Sequence, residues 1–472
     1  MSVPPEVAAR LRELVVVPDV AEELARRFRA AGHELFLVGG AVRDALLQRG
    51  VEELDFATDA KPDETLAIVR GWADDVWLQG VRFGTVGLRK AGTDIEVTTF
   101  RGERYDEGSR KPEVVHVPTL EEDLSRRDFT VNAMAVRLPE REFIDPFGGV
   151  NDLVGAVLRT PGAPEDSFSD DPLRMLRAAR FASQLDLVPD GTVLDAMRAM
   201  RDRLQIVSAE RIGDELNKLL ATLQPSKGLL VATETGLCDV FLPELPALRL
   251  EQDSEHRHKD VFAHTLAVVD KVAAGDPPGE PDVLLRVAAL LHDIGKPQTR
   301  RMEGGKVMFH HHEVVGATMA RARLQALRYP NEFVDDVCHL IGMHLRFWGF
   351  ARDWTDSAVR RYVRDAGHLL DRLNRLIRAD STTRNRFKAR QLQEAMDRFE
   401  ERIAKLAAEE DLKKIRPPID GHDVMSFLGV EPGPVVGRAL EMLLEHRLEH
   451  GEYSREEALG LLEEWARAQG LR

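Results

Sequence analysis

The stretch LFLVGGAVRDALLQRGVEELDF, residues 35–56, decides the fold of this chain. Its first four residues, Leu35–Val38, are apolar and predict a strand, and a glycine pair, a short helix and a second strand follow. Gly39 and Gly40 let the backbone approach a triphosphate closely, and Arg43 beside them can hold phosphate oxygens. The stretch therefore predicts a phosphate-binding turn at the end of a strand.

Two acidic residues, Glu53 and Asp55, lie on the second predicted strand of this stretch. Side chains two positions apart point to the same face of a strand, so this pair can share divalent metal ions. Glu96 lies in the later run DIEVTTF, whose alternation predicts another half-buried strand. We expect Glu96 to lie beside Asp55 in one sheet and complete the metal site. The alternatives are a solvated surface pair, and an ion pair of Glu96 with Arg101 or another nearby arginine.

Length and composition limit the classes of protein to which this chain can belong. A chain of 472 residues is too long for one core and predicts several domains. Its net charge of −15 argues against a generally basic nucleic-acid-binding surface, although a local basic groove remains compatible with it. Two cysteines cannot form a disulfide framework and suit a reducing cytoplasm. With no signal-peptide layout at the N-terminus and no apolar run of about 18 residues, we expect a cytoplasmic protein without a membrane span.

Two arginine-rich clusters are candidate nucleotide-binding groups. Arg126, Arg127 and Asp128 put two forked cations and an acceptor together, which suits a triphosphate and ribose hydroxyls. The alternative is a surface salt bridge. In the run DDPLRMLRAAR the spacing predicts a helix with four charged side chains on one face. These side chains can form hydrogen bonds with the edge of a nucleobase or with phosphates. The alternative is an ordinary i,i+3 salt bridge. The residues of this face are Asp171, Arg174, Arg177 and Arg180.

The second half of the chain carries a separate set of histidines and aspartates. A single histidine in a helix is usually packed or exposed rather than a ligand, but six candidates in one mostly helical region favour a metal site. Imidazole and carboxylate together suit Mn, Fe, Ni, Zn or Mg. Within the triplet His310–His312 the residues alone do not decide which member is the ligand. The candidate ligands are His264, His292, Asp293, His312, His344 and Asp380.

From about residue 30 to about residue 220 the successive motifs resemble those of bacterial tRNA nucleotidyltransferases and poly(A) polymerases. These are class II members of the polymerase β superfamily. The motifs are LFLVGGAVRDALL, ELDFATDA, GTVGL, IEVTTFR, RRDFTVNAMA, DPFGGVNDL and DDPLRMLRAARF, in the order of the family. The resemblance implies a head domain that holds metal and triphosphate, a helical neck that reads the incoming base, and a body and tail that grip tRNA.

This resemblance also implies roles for individual residues. It assigns Glu53 and Asp55 to catalytic Mg²⁺, and the 126–128 cluster to the triphosphate and ribose. It assigns Asp171 and Arg174 to base-pair-like recognition of CTP and then ATP. The family usually has Asp where this chain has Glu53, and glutamate is one methylene longer.

Residues from about 256 to about 385 resemble the HD-superfamily phosphohydrolases. That resemblance implies a metal core of His264, His292, Asp293 and Asp380, with His312 and His344 as ligands of a second metal. Some bacterial tRNA nucleotidyltransferases carry such a domain after the neck. Members of that group hydrolyse 2′,3′-cyclic phosphates or phosphate ends. The (p)ppGpp synthetase–hydrolases place the HD domain first and lack the neck motif.

Together these observations predict an α+β protein. We expect a polymerase β-like nucleotidyltransferase head with a mixed sheet at 1–145, followed by all-α neck, HD and tail domains at 146–250, 251–390 and 391–472. The expected reaction is nucleotidyl transfer from CTP and ATP to the 3′ end of tRNA, with an additional HD phosphohydrolase activity. A poly(A) polymerase, or a tRNA-binding protein with a weak head and an active HD domain, are the alternatives. The sequence leaves CCA, CC-only, A-only and poly(A) addition open.

Overall fold

The structure is a computed structural model of the whole chain. It describes residues 17–50, 54–104, 113–250, 260–347, 355–381, 386–410, 412 and 415–471. The chain divides into two compact units, Met1–Pro246 and Ala247–Arg472. The division into four domains stays a prediction.

The first unit is built around a mixed sheet of seven strands in the order β3-β4-β5-β2-β1-β8-β9, and β6 and β7 form a separate ladder. Within the large sheet β2 and β5 run parallel, and the other neighbours are antiparallel. The strands are β1 Leu35–Val38, β2 Leu54–Thr58, β3 Asp75–Trp77, β4 Thr85–Lys90, β5 Thr93–Thr99, β6 Arg101–Arg104, β7 Glu113–His116, β8 Ala135–Leu138 and β9 Glu142–Ile144.

Helices flank the sheet and then continue as the helical part of the first unit. A short parallel pair, β10 Val157–Leu158 and β11 Val188–Pro189, ties this helical part together. The helices are α1 Asp19–Ala30, α2 Gly40–Leu46, α3 Pro62–Val69, α4 Leu120–Ser125, α5 Gly149–Val154, α6 Pro164–Asp170, α7 Leu173–Gln184, α8 Gly191–Met200, α9 Ala209–Leu220, α10 Pro225–Glu234 and α11 Leu237–Phe241.

The alternation of side chains along each strand gives the sheet two different faces. One face carries residues such as Leu37, Phe56 and Ile95 and packs in a large apolar core with α1 and α3. The other face carries Phe36 and Ala57, which pack in a smaller cluster near one end of the sheet. Asp55 and Glu96 lie side by side on this second face, outside that cluster.

The segment DPFGG, residues 145–149, forms the turn between the sheet and the helical part. Gly148 has a φ of 75°, which favours glycine, and begins α5. The carboxylate of Asp145 accepts hydrogen bonds from the backbone N–H groups of Gly149 and Val150, at 2.7 and 3.0 Å.

The second unit is helical, and its last three helices have an apolar core of their own that includes Val424, Leu443 and Leu462. The predicted fold class is confirmed, but the prediction of all-α neck, HD and tail domains is wrong in two places. The predicted neck contains the strand pair β10–β11, and a hairpin forms around the turn Gly304–Gly305 in the predicted HD domain. No described helix is long and apolar enough to cross a membrane. The elements are α12 Val261–Ala274, α13 Val283–Leu291, α14 Lys296–Thr299, β12 Arg300–Glu303, β13 Lys306–Phe309, α15 His312–Ala326, α16 Asn331–Met343, α17 Asp356–Ala366, α18 Leu370–Asp380, α19 Arg386–Glu409, α20 Gly421–Leu428, α21 Pro434–His450 and α22 Arg455–Ala468.

Candidate active sites

The glycine turn after β1 lies against an arginine of the predicted phosphate clamp. Gly39 has a φ of 71°, which favours glycine, and a Cβ there would lie 2.8 Å from Nη1 of Arg127. Arg43, one turn along α2, donates to both carboxylate oxygens of Asp44, at 2.9 and 2.7 Å, and to Oδ1 of Asn132 at 2.6 Å. The fold therefore brings the glycine turn and the clamp together across about 90 residues of chain.

The predicted carboxylates meet on the open face of the sheet. In the parallel pair β2–β5, Asp55 lies directly opposite Glu96. Asp55 is half-buried and Glu96 is exposed. The guanidinium of Arg101, the alternative partner of Glu96, instead donates to the carbonyl of Phe83. Glu53 lies outside the described residues. The geometry suits a divalent cation held between adjacent strands, which are about 4.8 Å apart.

A cavity of about 620 Å³ adjoins Asp55, one of the two carboxylates. Its lining includes Gly40 and Arg43 of the glycine turn and helix, and Asp55 of β2. On the other side it is lined by Arg180 of α7 and Lys218 of α9. The volume suits a small ligand such as a nucleotide. Arg180 also forms a buried ion pair with Glu215 of α9, which fixes its side chain.

The two arginines of the predicted clamp share one buried carboxylate that the sequence interpretation missed. Asp123 is 1% exposed and accepts from Nη2 of Arg126 at 2.8 Å and from Nη2 of Arg127 at 3.3 Å. Burial alone would raise the pKa of Asp123, but the charges of the two arginines lower it below its ordinary value. Its spacing of three and four residues from the arginines, at the start of a helix, could have identified it.

Asp128 of the same cluster is buried rather than part of a surface salt bridge. Its Oδ1 accepts from Nδ2 of Asn132 at 2.9 Å and from its neighbouring backbone N–H at 2.8 Å, and its Oδ2 accepts from Nε of Arg177 at 2.9 Å. Burial opposes its ionisation, but the charge of Arg177 and these hydrogen bonds lower the pKa of Asp128 to about 2. The carboxylate is therefore ionised at neutral pH and locks α7 against the cluster.

The predicted base-reading pair does not share one helix face. Asp171 lies between α6 and α7, because α7 begins only at Leu173, two residues later than the spacing suggested. The Oδ1 atom of Asp171 accepts a hydrogen bond from the backbone N–H of Leu173 at 3.1 Å. Its Oδ2 accepts from Nη2 of Arg211 at 2.8 Å. Arg174 is buried and donates to Oγ of Ser167 at 2.9 Å and to the carbonyl of Arg126 at 2.7 Å. An Asp171–Arg174 salt bridge, the alternative, is therefore also wrong. No feature of the sequence had indicated Arg211.

The histidines and aspartates of the second unit converge in one buried cluster. His264, His292 and Asp293 place ligand atoms within 4.8 Å of one another, and Asp293, His312 and His344 do the same. Asp293 belongs to both groups, so it can bridge two metal ions. Asp380 adjoins the first group, with Oδ1 2.8 Å from Nε2 of His264. The fold thus brings together all six predicted ligands.

In three of the histidines a hydrogen bond at Nδ1 orients the ring and leaves Nε2 for a metal. Nδ1 of His292, His312 and His344 each lies 2.6–2.8 Å from the carbonyl oxygen three residues earlier. Their Nε2 atoms are buried and have no hydrogen-bond partner among the described residues. Buried imidazole nitrogens that face carboxylates in this way fit a divalent cation. His310 and His311 are exposed, so His312 is the member of the triplet that lies in the cluster.

The charges and the burial of the cluster determine which of its histidines carry a proton. Burial alone would lower the pKa of His292, but the charges of Asp293 and Asp380 raise it to about 10. Burial and the neighbouring His292 lower the pKa of His344 to about 4. Lys296 donates to Oδ2 of Asp293 at 2.6 Å. Without a metal, therefore, the carboxylates hold a proton on His292 at neutral pH.

Comparison with known protein families agrees with this geometry. The Poly A polymerase head domain matches residues 35–159, and the probable RNA and SrmB-binding site of polymerase A matches residues 188–248. The HD domain matches residues 261–407. The fold and sites thus define a nucleotidyltransferase with an HD domain. Both kinds of domain generally use divalent metals.

Individual relatives cover nearly the whole chain. The A-adding tRNA nucleotidyltransferase of Deinococcus radiodurans is 35% identical over 91% of this chain and 95% of its own. The CC-adding tRNA nucleotidyltransferase of Thermus thermophilus is 33% identical over 92% of this chain and 94% of its own. The structure of the Bacillus stearothermophilus CCA-adding enzyme in complex with CTP, 27% identical, superposes with a TM-score of 0.72 over 96% of this chain and 99% of its own. The chain belongs to the tRNA nucleotidyltransferase and poly(A) polymerase family, which confirms the predicted resemblance.

We expect His312→Ala to lose metal from the HD cluster, because it removes one of the buried Nε2 atoms that face Asp293. The matched control is His311→Ala, which removes an exposed neighbour of the same residue type. Metal content after dialysis and elemental analysis measures the effect. Equal metal content in both variants and the parent would contradict the assignment.

Metal affinity of this cluster should rise with pH from 6 to 9. In the metal-free protein His292, with a pKa of about 10, carries a proton that a metal must displace. Calorimetric titration in buffers of different ionisation enthalpy should accordingly show proton release on binding. Binding that neither releases protons nor depends on pH would show that His292 is not a ligand.

Proposed function

We propose that this enzyme adds CMP and AMP from CTP and ATP to the 3′ end of tRNA and releases pyrophosphate. The observation that carries the proposal is the placement of Asp55 opposite Glu96, beside the glycine turn and in the wall of one cavity. The relatives support the substrate class, since those cited act on tRNA or bind CTP by name. A cytoplasmic location is part of the proposal and is supported by two buried cysteines, Cys238 and Cys338, whose thiols form no disulfide.

In this mechanism the side chains of the first unit bind and orient the two reactants. Asp55 and Glu96 would hold Mg²⁺, together with Glu53, which lies outside the described residues. A metal held there would supply a lowered pKa at the RNA 3′-hydroxyl and would offset charge that develops on the triphosphate. Arg43 and the 126–128 cluster bind phosphate and ribose oxygens.

Two carboxylates, the buried Asp123 and the half-buried Asp44, fix these arginines before the nucleotide binds. Asp123 holds Arg126 and Arg127, and Asp44 holds Arg43. The guanidinium groups therefore lose little side-chain entropy when a triphosphate arrives, which is the benefit of a preorganised site.

The identity of the added nucleotides rests on Asp171 and Arg174. The relatives differ in this respect, since the cited names include A-adding, CC-adding and CCA-adding enzymes. We infer addition of both C and A, because cytosine and adenine each offer an amino donor for Asp171 and a ring-nitrogen acceptor for Arg174. Uracil and guanine present a carbonyl where Asp171 needs a donor. The side chain of Asp171 is 24% exposed, so it stays accessible to a base while Arg211 holds it.

The second unit supports a second activity, metal-dependent hydrolysis of phosphate esters. The observation that favours it is the buried cluster with its three orphaned imidazole nitrogens. A divalent metal such as Mn, Ni, Fe, Zn or Mg would be held by the six ligands, and when bound it polarises a phosphoryl oxygen and activates water. Cyclic phosphates and phosphate ends of damaged tRNA are the substrates that we propose.

Asp55→Ala should abolish nucleotide addition, with tRNA binding retained, because Asp55 would hold the metal but not the body of the tRNA. The assay follows incorporation of radiolabelled CTP and ATP into tRNA lacking CCA, and a gel shift reports binding. Glu53→Asp is the matched control and should retain or raise activity. Addition by Asp55→Ala at the parent rate would refute the metal site. In the parent, a long A tail would instead identify a poly(A) polymerase.

Asp171→Ala should lose discrimination against UTP and GTP more than it loses affinity for the triphosphate. A carboxylate that a bound base buries against a carbonyl costs roughly 1–3 kcal/mol, or about five- to 160-fold in rate. Single-nucleotide incorporation with all four triphosphates measures this. Arg211→Ala, which leaves both base-reading groups in place, is the comparison. Unchanged selectivity in both Asp171→Ala and Arg174→Ala would mean that the base is read elsewhere.

The double variant His292→Ala/Asp293→Ala should lose phosphohydrolase activity and keep nucleotide addition, because the two sites belong to different units. Hydrolysis of 2′,3′-cyclic nucleotides and phosphate monoesters is measured with Mn, Ni or Mg. His311→Ala should behave like the parent. A parent protein that hydrolyses neither substrate with any of these metals would contradict this second activity.

A further inference from the structure

A row of four residues crosses the open face of the sheet and ends at the candidate catalytic acid. In the strand register Trp77 of β3 lies opposite Gly87 of β4, Gly87 lies opposite Glu96 of β5, and Glu96 lies opposite Asp55 of β2. Directly opposed residues share a face of a sheet. The indole of Trp77 therefore belongs to the same surface as the two carboxylates.

The indole lies over the glycine of this row and thus leans toward the carboxylates. A Cβ on Gly87 would lie 1.9 Å from Nε1 of Trp77, 2.2 Å from Cε2 and 2.6 Å from Cδ1. All three contacts are with the indole, so the missing side chain at Gly87 is what lets the ring take this position. From Asp55 to Gly87 is two strand spacings, or about 10 Å.

Trp77 is not a core residue. It is half-buried, whereas Trp72 is 5% exposed and belongs to the apolar core on the opposite face. No other aromatic ring among the described residues stacks on the indole of Trp77. A large aromatic side chain on an open face beside acidic groups needs a different explanation, and a planar ligand provides one.

The geometry of nucleotidyl transfer indicates which planar ligand binds on this side. Leu37 of β1 pairs with Phe56 of β2, so the glycine turn that follows β1 lies on one side of Asp55. Glu96 and Trp77 lie on the other side. In phosphoryl transfer the attacking and leaving oxygens are roughly in line. If the leaving pyrophosphate lies on the glycine turn, the attacking 3′-hydroxyl must come from the side of Trp77.

We propose that Trp77 is the stacking platform for the 3′-terminal base of the acceptor RNA. This inference rests on the proposed function and adds the position of the second reactant. Stacking on an aromatic ring tolerates every base, as a site must if the terminal base of its acceptor changes with each addition. Trp77 is a positioning residue in this account, because it orients the ribose whose hydroxyl reacts near Asp55 and Glu96.

The first test distinguishes an effect on acceptor binding from an effect on nucleotide binding. Trp77→Ala should raise the KM for tRNA lacking CCA by roughly five- to hundredfold and leave the KM for CTP near the parent value. Trp77→Phe keeps an aromatic face and should restore most of the acceptor affinity. Val76→Ala, on the same strand but the other face, is the matched control and should match the parent in both constants.

The second test moves the ring without removing it. Gly87→Ala introduces the Cβ that collides with the indole, so it should raise the acceptor KM in the parent background. In the Trp77→Ala background the same change should add little, because the colliding ring is gone. Thermal unfolding of each variant checks that the sheet remains folded.

The outcomes distinguish this inference from the proposed function. A parent enzyme that adds no nucleotide to tRNA refutes the proposed function itself. An active parent whose Trp77→Ala variant keeps the acceptor KM, or raises only the KM for CTP, overturns the role of Trp77. Additive effects of Gly87→Ala and Trp77→Ala would overturn it as well, since the glycine would then act by another route.

Discussion

The parallel pairing of β2 with β5 is the constraint on which the first site depends. It places Asp55 opposite Glu96, although 41 positions separate them in the chain. The antiparallel pairing of β1 with β2 then sets the glycine turn on one side of Asp55. A slip of one residue in either register would turn a carboxylate into the apolar core. The buried alternation of Phe56 and Ile95 on the opposite face prevents such a slip.

A second principle is that buried carboxylates hold the arginines in place. Asp123, Asp128 and Glu215 are nearly inaccessible to solvent, and each forms an ion pair with one or two arginines of the site. Removing one partner of such a pair leaves an uncompensated buried charge. The arrangement therefore favours precise orientation of guanidinium groups over a diffuse basic surface. This agrees with a chain whose net charge is −15.

The sequence predicted the parts of the fold that local pattern determines. The strand–turn–helix around Gly39, the strand that carries Glu96 and the convergence of six histidines and aspartates were all predictable from residue type and spacing. The interactions of the base-reading segment were not, because α7 begins after Asp171 and a distant helix supplies Arg211. The hairpin β12–β13 was also missed, since a short exposed ladder leaves little periodic signal. The row from Trp77 to Asp55 depends on strand order, which no local pattern determines.

The most direct test of the central claim is a crystal structure with Mn²⁺ and a non-hydrolysable CTP analogue. The account predicts an anomalous Mn²⁺ peak within bonding distance of both Asp55 and Glu96, with the triphosphate on the turn at Gly39 and Gly40. A peak that contacts neither carboxylate, or a triphosphate bound on the Trp77 side of Asp55, would contradict it.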